Sequence, residues 1–428
     1  MKQGLNIKNK KVVVVGLAKS GLAAALLLKK KGADVFASDI TDNAQTRLAG
    51  DELRTEAVKV ELGKHSQEQF RNADLVVVSP GVKFDASCLN WARSEGIPII
   101  GEVELAALYC PAPIIAVSGS NGKTTTTILI GEILKDSGKN TYVCGNIGRP
   151  FSLDIEKIRK SDIVCLEISS FQLESCVNFK PNISVLLNFK QNHLDRHGNL
   201  DVYLDAKKKL FMNQDANDFA VLNNDDMEVR ELAKNINARI KFFNPALSIG
   251  DFKLNANQAA AFAVGEILGL DKDKMLKTFR GFKGLNHRLE LVEVLGGVEF
   301  INDSKATTVD SCAWALGNIY KPVILIAGGR DKGADFSSIK NLLRRKVKTL
   351  ILIGEAKEKM KQAYRNSVAL IEAENIQKAV NLAKDISCEG DCVLLSPMCA
   401  SFDMFRDFEE RGEVFKQIVR SFKKEKSR

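Results

Sequence analysis

The chain has 428 residues, 45% of them hydrophobic and 27% charged, which predicts two to four globular domains and excludes a disordered or fibrous protein. The net charge of +9 is a small excess, and 7% aromatic residues without basic-aromatic alternation give no support for nucleic-acid binding. The nine scattered cysteines contain no CxxC pair, and no signal peptide or spanning helix is visible, so we expect a cytoplasmic protein without membrane insertion.

Eight short apolar runs have the composition of buried strands and are separated by helix-length segments. They are residues 11–15, 75–78, 114–117, 163–166, 183–187, 323–327, 350–353 and 392–395. Three of them, at 11–15, 114–117 and 323–327, run into a glycine turn and then a helix. This alternation predicts parallel sheets in an α/β protein, and the glycine-containing segments near Gly101 and Gly284 predict domain boundaries.

The first turn, Gly16 to Gly21, resembles a dinucleotide-binding turn, because it follows the first strand and Asp39 ends the second. Ala18, however, replaces the second glycine, which a pyrophosphate needs for close approach. A nucleotide-phosphate site of another kind therefore fits better than NAD. The segment Ser79-Pro80-Gly81 closes a further strand at the same edge of the sheet.

The second turn is a phosphate loop, Gly119-Ser120-Asn121-Gly122-Lys123-Thr124, between a strand and a helix. Its backbone N–H groups and the helix amino end favour phosphate, Lys123 would reach the β- and γ-phosphates, and the Thr124 hydroxyl would bind Mg²⁺. Val117 stands where the strict pattern has glycine.

Candidate metal ligands follow the next strands. Glu167 ends one strand, where Mg²⁺ is commonly held beside a phosphate loop. His193 and His197 come just after another strand, and this placement favours a functional role over core packing, with His193 a candidate metal ligand. Lys207 lies on a basic helix, and its composition does not separate it from Lys208 and Lys209. Polar clusters at later strand ends, at 286–290, 302–307, 328–333 and 396–403, predict a ligand-binding edge in the last domain.

Together these residues resemble the Mur ligase family, the ATP-dependent amide ligases of peptidoglycan precursor synthesis. The resemblance covers essentially the whole chain, in order. Its motifs are 119–124, Gly145-Asn146-Ile147-Gly148, Glu167 with Ser169-Ser170-Phe171-Gln172-Leu173, Asn192-His193-Leu194-Asp195-Arg196-His197, Tyr203 with Ala206-Lys207, His287-Arg288, and Asp303-Ser304-Lys305-Ala306-Thr307. It implies a Rossmann-like UDP-substrate domain at 1–101, a central P-loop ATPase-like parallel-sheet domain at 102–284, and a Rossmann-like amino-acid-binding domain at 285–428.

Within the family, the motifs at 328–336 and 395–403 resemble those of the member that adds D-glutamate to UDP-N-acetylmuramoyl-L-alanine, and the Asp-Asn-Pro-Arg motif of the diaminopimelate- or lysine-adding member is absent. The resemblance implies a monomer that uses ATP, two Mg²⁺ ions and an acyl-phosphate intermediate.

Family positions also imply the role of each site residue. The catalytic residues are Lys123, Glu167, His193 and Lys207, and the metal ligands are Thr124, Glu167, His193 and a carbamylated Lys207. The ATP-binding residues are Gly119, Ser120, Asn121, Gly122, Lys123, Thr124, Thr125, Asn257, Arg288, Asp303 and Lys305. The UDP-substrate residues are Ser20, Asp39, Ser79, Gly81 and Asn146, and the D-glutamate residues are Thr307, Lys332, Ser401 and Phe408.

The chain departs from the family pattern at Lys19, at Asn192 and in segment 253–257, which contains the adenine contact Asn257. The nearest alternative function is another Mur-type or folylpolyglutamate-type ligase. An NAD-dependent oxidoreductase and a non-enzymatic ATP switch are alternatives from other classes.

Overall fold

The computed structural model describes residues 6–190, 194–282, 284–331 and 333–425. The chain separates into two compact units, Met1–Phe282 and Lys283–Arg428. Unit 1 contains two parallel sheets and unit 2 contains one mixed sheet. All eight strands that the sequence predicts are present, so the α/β class is confirmed.

The first sheet of unit 1 is five-stranded, parallel and ordered β3-β2-β1-β4-β5. Its strands are β1 Lys11–Val15, β2 Asp34–Asp39, β3 Lys59–Leu62, β4 Leu75–Val78 and β5 Ile99–Gly101. Its helices are α1 Lys19–Lys30, α2 Ala44–Thr55, α3 Gln67–Arg71 and α4 Ser87–Ser94, and α5 Glu102–Tyr109 leads to the second sheet. The four valines 12–15 are at most 2% exposed, which explains why this strand is an unbroken apolar run.

The second sheet is six-stranded, parallel and ordered β11-β10-β9-β6-β8-β7. Its strands are β6 Ile114–Ser118, β7 Thr141–Gly145, β8 Ile163–Glu167, β9 Ile183–Leu186, β10 Phe219–Asn223 and β11 Arg239–Phe243. Its helices are α6 Lys123–Asp136, α7 Ser170–Glu174, α8 Leu194–His197, α9 Leu200–Lys208, α10 Met227–Leu232, α11 Ala256–Ile267 and α12 Lys272–Gly281. A small hairpin pairs β12 Ser248–Ile249 with β13 Phe252–Lys253. The chain order reverses beside β6, and ligands of open α/β sheets bind at such a position.

Unit 2 has a six-stranded sheet ordered β14-β15-β19-β16-β17-β18. Its strands are β14 Glu290–Leu295, β15 Val298–Asn302, β16 Val323–Gly328, β17 Val347–Ile353, β18 Ala369–Glu372 and β19 Cys392–Leu395. Its helices are α13 Val309–Gly317, α14 Lys340–Lys346, α15 Lys357–Tyr364, α16 Ile376–Ile386 and α17 Phe408–Glu425. The parallel prediction is correct except at the edge strand β14, which joins β15 in an antiparallel hairpin.

Short 3-10 helices cover Phe151–Leu153, Ala233–Asn235 and Phe336–Ile339. All nine cysteines are free thiols and all but Cys388 are buried, as the sequence predicts for reduced core residues. In the part of the chain that the structure describes, no helix has the length and apolar character needed to cross a bilayer.

Candidate functional site

The loop between β6 and α6 has the backbone geometry of a phosphate-binding loop. Gly119 has φ +150° and Gly122 has φ +83°, values that favour glycine. Gly122 is the N-cap of α6, and a Cβ atom there would lie 2.3 Å from Oδ1 of Asn257. The loop N–H groups and the amino end of a 14-residue helix therefore create a positive site for an anion.

Lys123, the first residue of α6, folds back over this loop. Its Nζ donates to the carbonyl oxygens of Gly119 at 2.9 Å and Ser120 at 3.0 Å, which brings a full positive charge to the loop. Thr124 is buried in the first turn of α6, and Thr125 is half-buried. The structure therefore brings the predicted ATP residues of this segment together.

Asn257 lies beside the phosphate loop although its sequence motif departs from the family pattern. It is in the first turn of α11, and its Oδ1 accepts a hydrogen bond from Oγ1 of Thr126 at 3.2 Å. Together with its closeness to Gly122, this contact fixes the amino end of α11 next to α6. The position is compatible with the predicted nucleotide contact.

The segment after β9 holds the loop in place. Asn188 accepts from the backbone N–H of Asn121 at 2.9 Å and donates to its carbonyl oxygen at 3.1 Å. The Ser120 hydroxyl donates to the carbonyl of Lys190 at 2.9 Å and lies 3.1 Å from the Tyr203 hydroxyl. Asn188 was not among the predicted site residues, although its place directly after a predicted strand was a signal in the sequence.

Glu167 ends β8, next to β6, and is 2% exposed. Its Oε1 accepts from Nδ2 of Asn146 at 2.7 Å, and its backbone oxygen accepts from the Asn146 N–H at 2.9 Å. Its buried Oε2 has no hydrogen-bond partner among the described residues. Because an unsatisfied buried carboxylate oxygen is costly, a cation at this atom would stabilise it, and the residue fits a Mg²⁺ ligand.

The structure describes one of the two histidines of segment 192–197. His193 lies outside the described residues. His197 is buried, with Nε2 2.9 Å from Oγ of Ser170 and Nδ1 3.2 Å from Oε1 of Glu174, and its ring contacts Tyr203. His197 is thus a core-packing residue. Over the described ranges, no three His, Cys, Asp or Glu side chains form a metal-binding cluster.

Lys207 is on the buried face of α9 and is 1% exposed. Its Nζ lies 3.4 Å from Oγ of Ser118 and 4.8 Å from the centre of the Tyr203 ring. Burial lowers the pKa of this amine well below its usual value, and the charge of Lys123 lowers it further. An uncharged amine can react with CO₂, so the residue fits the carbamate that the resemblance implies. Its neighbour Lys208 is exposed.

Four of the five predicted UDP-substrate residues lie at the carboxyl edge of the first sheet, whereas Asn146 follows β7 of the second sheet. The two carboxylate oxygens of Asp39 accept from the backbone N–H groups of Leu17 at 2.7 Å and Thr41 at 2.8 Å. Ser79 is buried at the end of β4, and its Cβ lies 3.0 Å from where a Cβ on Gly16 would be. Asp39 therefore orders the first turn through its backbone contacts.

Ser20 and Gly81 complete the predicted set in this sheet. Ser20 is half-buried in the first turn of α1. Gly81 is exposed in the loop after β4, and a Cβ there would have no neighbour within 4 Å. Both residues are thus at positions that a ligand can approach.

In unit 2, Asp303 follows β15 and is 3% exposed. Its Oδ2 accepts from Oγ of Ser396 at 2.8 Å, and its Oδ1 accepts from the N–H of Leu289 at 3.2 Å. Burial raises the pKa of this carboxyl to about 7, although both hydrogen bonds and nearby Arg288 act in the opposite direction. The Arg288 guanidinium carbon lies 5.6 Å from the centre of the Trp314 ring.

The remaining predicted residues of unit 2 occupy nearby loops. Nζ of Lys305 lies 5.8 Å from the ring centre of Phe408, and the Thr307 N–H donates to the Lys305 carbonyl at 2.9 Å. Ser401 is buried at the start of the segment before α17. Lys332 lies outside the described residues.

Arg411 is a fully buried residue of α17 that sequence analysis did not identify. Its Nε donates to Oγ of Ser304 at 2.9 Å, Nη2 donates to the Ser304 carbonyl at 2.9 Å, and both Nη atoms donate to the Cys399 carbonyl at 3.2 Å. Arg411 thereby joins the loop of Asp303 to the loop of Ser401. The available signal was its position on the apolar face that also carries Phe415.

Comparison with known proteins gives three family profiles in the order of the sheets. Residues 10–101 match the Mur ligase MurD-like N-terminal domain, residues 117–267 match the Mur ligase middle domain, and residues 287–399 match the Mur ligase glutamate ligase domain.

Relatives match along nearly the whole chain. A protein from Koribacter versatilis named UDP-N-acetylmuramoylalanine–D-glutamate ligase is 40% identical, covering 97% of this chain and 98% of the relative. A protein of the same name from Geobacter sp. strain M21 is 41% identical, covering 98% of this chain and 99% of the relative.

Solved structures have the same fold at low identity. The UDP-N-acetylmuramate-alanine ligase of Thermotoga maritima has a TM-score of 0.59 at 20% identity, covering 96% of this chain and 100% of that one. A MurF ligase from the same organism, in complex with ADP, has a TM-score of 0.59 at 16% identity, covering 97% of this chain and 96% of that one. The domain profiles and full-length relatives agree with the geometry of the phosphate loop, and the chain belongs to the Mur ligase family.

Proposed function

We propose that this enzyme joins D-glutamate to UDP-N-acetylmuramoyl-L-alanine, with conversion of ATP to ADP and phosphate, in peptidoglycan precursor synthesis. The observation that carries the proposal is 40% identity over 97% of the chain to a relative with this name. The phosphate loop and Glu167 supply the corresponding chemistry at the carboxyl edge of the second sheet.

The reaction needs ATP because a carboxylate oxygen is a poor leaving group. The L-alanyl carboxylate attacks the γ-phosphorus in line, which forms an acyl phosphate and releases ADP. The D-glutamate amine then attacks the acyl carbon, the tetrahedral intermediate collapses, and phosphate leaves as the amide forms. Positioning and charge stabilisation supply most of the rate in such transfers.

The phosphate loop would bind ATP through the N–H groups of residues 119–125 and the ammonium of Lys123. Bending of Lys123 over the loop supports this role, since the charge already lies at the loop. Asn257 beside Gly122 would contact the adenine, and Arg288, Asp303 and Lys305 have ATP roles by family position.

Two Mg²⁺ ions would be held by Thr124, Glu167, His193 and Lys207. Magnesium bound there would neutralise charge on the transferred phosphoryl group. The buried Oε2 of Glu167 supports a cation at this acid. Lys207 would add its uncharged amine to CO₂ and lose one proton, which converts a neutral amine into an anion that binds metal.

The UDP substrate would contact Ser20, Asp39, Ser79, Gly81 and Asn146. Asp39 would act by holding the first turn open through Leu17 and Thr41. D-Glutamate would contact Thr307, Lys332, Ser401 and Phe408. These assignments follow the family positions.

The same proposal includes the domain limits 1–101, 102–284 and 285–428, a monomeric enzyme and a cytoplasmic location. A cytoplasmic location agrees with nine free cysteines.

The test is phosphate release from Mg-ATP and UDP-N-acetylmuramoyl-L-alanine, with D-glutamate, L-glutamate, glycine, L-alanine and diaminopimelate offered in turn. Release with D-glutamate alone is expected. Release with another amino acid would keep the ligase chemistry and refute the D-glutamate assignment, and no release with any would refute the proposal.

A matched pair of variants tests the phosphate loop. Lys123→Met should reduce turnover about 100-fold or more, because it removes a positive charge from the transferred phosphoryl group. Lys135→Met removes an exposed lysine from the last turn of the same helix and should leave turnover unchanged. Equal effects of the two changes would contradict the assignment.

A further inference from the structure

Arg196, in the same segment as the predicted metal ligand His193, reaches from the second sheet of unit 1 to the first. Its Nη1 donates to the carbonyl of Pro80 at 3.1 Å and its Nη2 donates to the carbonyl of Val82 at 3.2 Å. These carbonyls belong to the loop after β4, which contains Ser79 and Gly81. One guanidinium therefore donates hydrogen bonds to two backbone carbonyls of the proposed substrate loop, residues 79–82.

The guanidinium is fixed from its other side by α7. Nη2 donates to Oε2 of Glu174 at 2.9 Å, and the guanidinium carbon lies 4.3 Å from the centre of the Phe171 ring. The other carboxylate oxygen of Glu174 lies 3.2 Å from Nδ1 of His197. The side chains of Arg196 and Glu174 are only 12% and 18% exposed, so solvent screens this ion pair weakly.

The same cluster contacts the segments that follow two candidate metal ligands, Glu167 and Lys207. Nε2 of His197 lies 2.9 Å from Oγ of Ser170, three residues after Glu167. Lys209 lies two residues after Lys207, and its Nζ donates to the Glu174 carbonyl at 2.5 Å. Arg196 is therefore connected by short contacts to the segments that follow both residues.

We infer that Arg196 is a positioning residue that holds the loop 79–82 in register with the phosphoryl-transfer residues of the second sheet. The effect of Arg196 on the UDP substrate and on the reaction rests on the proposed function. Its ordering of the loop 79–82 is independent of that function. Because a misplaced reacting group costs far more rate than the lost contact itself, ordering of this loop would set how the UDP substrate presents its L-alanyl carboxylate.

An arginine suits this place because its planar fork donates to several acceptors in fixed directions. Here three acceptors lie around it: two backbone carbonyls and one carboxylate. A lysine can neutralise Glu174 but lacks the fork, so Arg196→Lys should keep the fold and only part of the function.

The first arm of the test measures hydrogen exchange in the full chain and does not depend on activity. The N–H of Val82 donates to the carbonyl of Ser79 at 3.0 Å, so its exchange reports the order of the loop. Arg196→Ala should speed exchange in peptides covering 79–84 by about 10-fold or more, with exchange in the phosphate loop unchanged.

Arg196 lines a cavity of about 480 Å³. The matched control is Arg239→Ala. Arg239 also donates to a backbone carbonyl, that of Asn217 at 3.0 Å, and its guanidinium carbon lies 3.9 Å from the centre of the Phe219 ring, but it belongs to the edge strand β11. This change should leave exchange in 79–84 and turnover unchanged.

The second arm separates KM from kcat. Arg196→Ala should raise the KM for UDP-N-acetylmuramoyl-L-alanine about 10-fold or more, with the KM for ATP changed less than about twofold. The KM of the Arg196→Lys enzyme for UDP-N-acetylmuramoyl-L-alanine should lie between those of the Arg196→Ala enzyme and the unsubstituted enzyme. Added ethylguanidinium, which the cavity can admit, should restore part of the loss in Arg196→Ala and none in a Lys123→Met enzyme.

Each arm has an outcome that overturns the inference. Unchanged exchange in 79–84 would show that Arg196 does not order the loop. Equal changes in the KM values for ATP and for the UDP substrate would show that Arg196→Ala only destabilises the protein in general. A loss of activity that ethylguanidinium does not restore would show the same. Lack of ligase activity in the unsubstituted enzyme would refute the proposed function, and the exchange arm would then decide the structural role of Arg196.

Discussion

Asp303→Asn should make unit 2 more stable at alkaline pH. The carboxyl of Asp303 is 3% exposed, and burial raises its pKa from 3.8 to about 7. The folded protein therefore binds this proton more tightly than the unfolded chain does, so the stability present below about pH 4 is lost as pH rises through about 7. A shift of about three pKa units at about 1.4 kcal/mol each corresponds to about 4 kcal/mol of unfolding free energy.

Asparagine removes this loss and can keep both contacts, since its oxygen accepts from the Leu289 N–H and its amide can donate to the Ser396 hydroxyl. The assay is urea unfolding between pH 4.5 and 8.5 in a Trp91→Phe background, where Trp314 is the remaining tryptophan and reports unit 2. The stability difference between Asp303→Asn and its parent should grow with pH by up to about 4 kcal/mol and level off above pH 7. A difference that is constant with pH would refute the reasoning.

Two further predictions concern the second sheet. Lys207→Ala should abolish phosphate release, and acetate or propionate should restore part of it by replacing the carbamate; Lys208→Ala, on the exposed side of α9, should remain active. Intact ATP binding with no rescue would contradict the carbamate. Gly122→Ala should lower the free energy of unfolding by more than about 2 kcal/mol and weaken ATP binding, because the new Cβ would lie 2.3 Å from Asn257. The control is Gly138→Ala, where φ is similar but no atom lies within 4 Å of the new Cβ. This control should lower the free energy of unfolding by about 1–2 kcal/mol. Thermal unfolding and ATP titration measure both effects, and equal losses would contradict the steric argument.

Local sequence was sufficient for eight inner strands of the three large sheets because these strands are buried and apolar on both faces. The antiparallel edge strand β14 was not predicted, since it is half-exposed and mixes charged with apolar residues. Lys207 could not be separated from Lys208 by composition, because burial depends on which face of α9 packs inward.

Long-range contacts were the least predictable part of the site. Arg196 donates to the backbone carbonyl of Pro80 and Arg411 to that of Ser304, each more than a hundred residues away. Every residue has a backbone carbonyl, so the sequence does not indicate which one accepts such a bond. Both histidines of segment 192–197 stand in one polar run of the sequence, and only the packing of the described His197 assigns it to the core.

Transfer of ¹⁸O tests the central claim most directly. UDP-N-acetylmuramoyl-L-alanine labelled with ¹⁸O in both oxygens of its L-alanyl carboxylate is converted with Mg-ATP and D-glutamate, and phosphate and product are analysed by mass spectrometry. We expect one ¹⁸O atom in the inorganic phosphate for each amide bond formed, because the attacking carboxylate oxygen leaves with phosphorus. Amide formation with unlabelled phosphate would contradict the acyl-phosphate route, and absence of the D-glutamyl amide would contradict the proposed reaction itself.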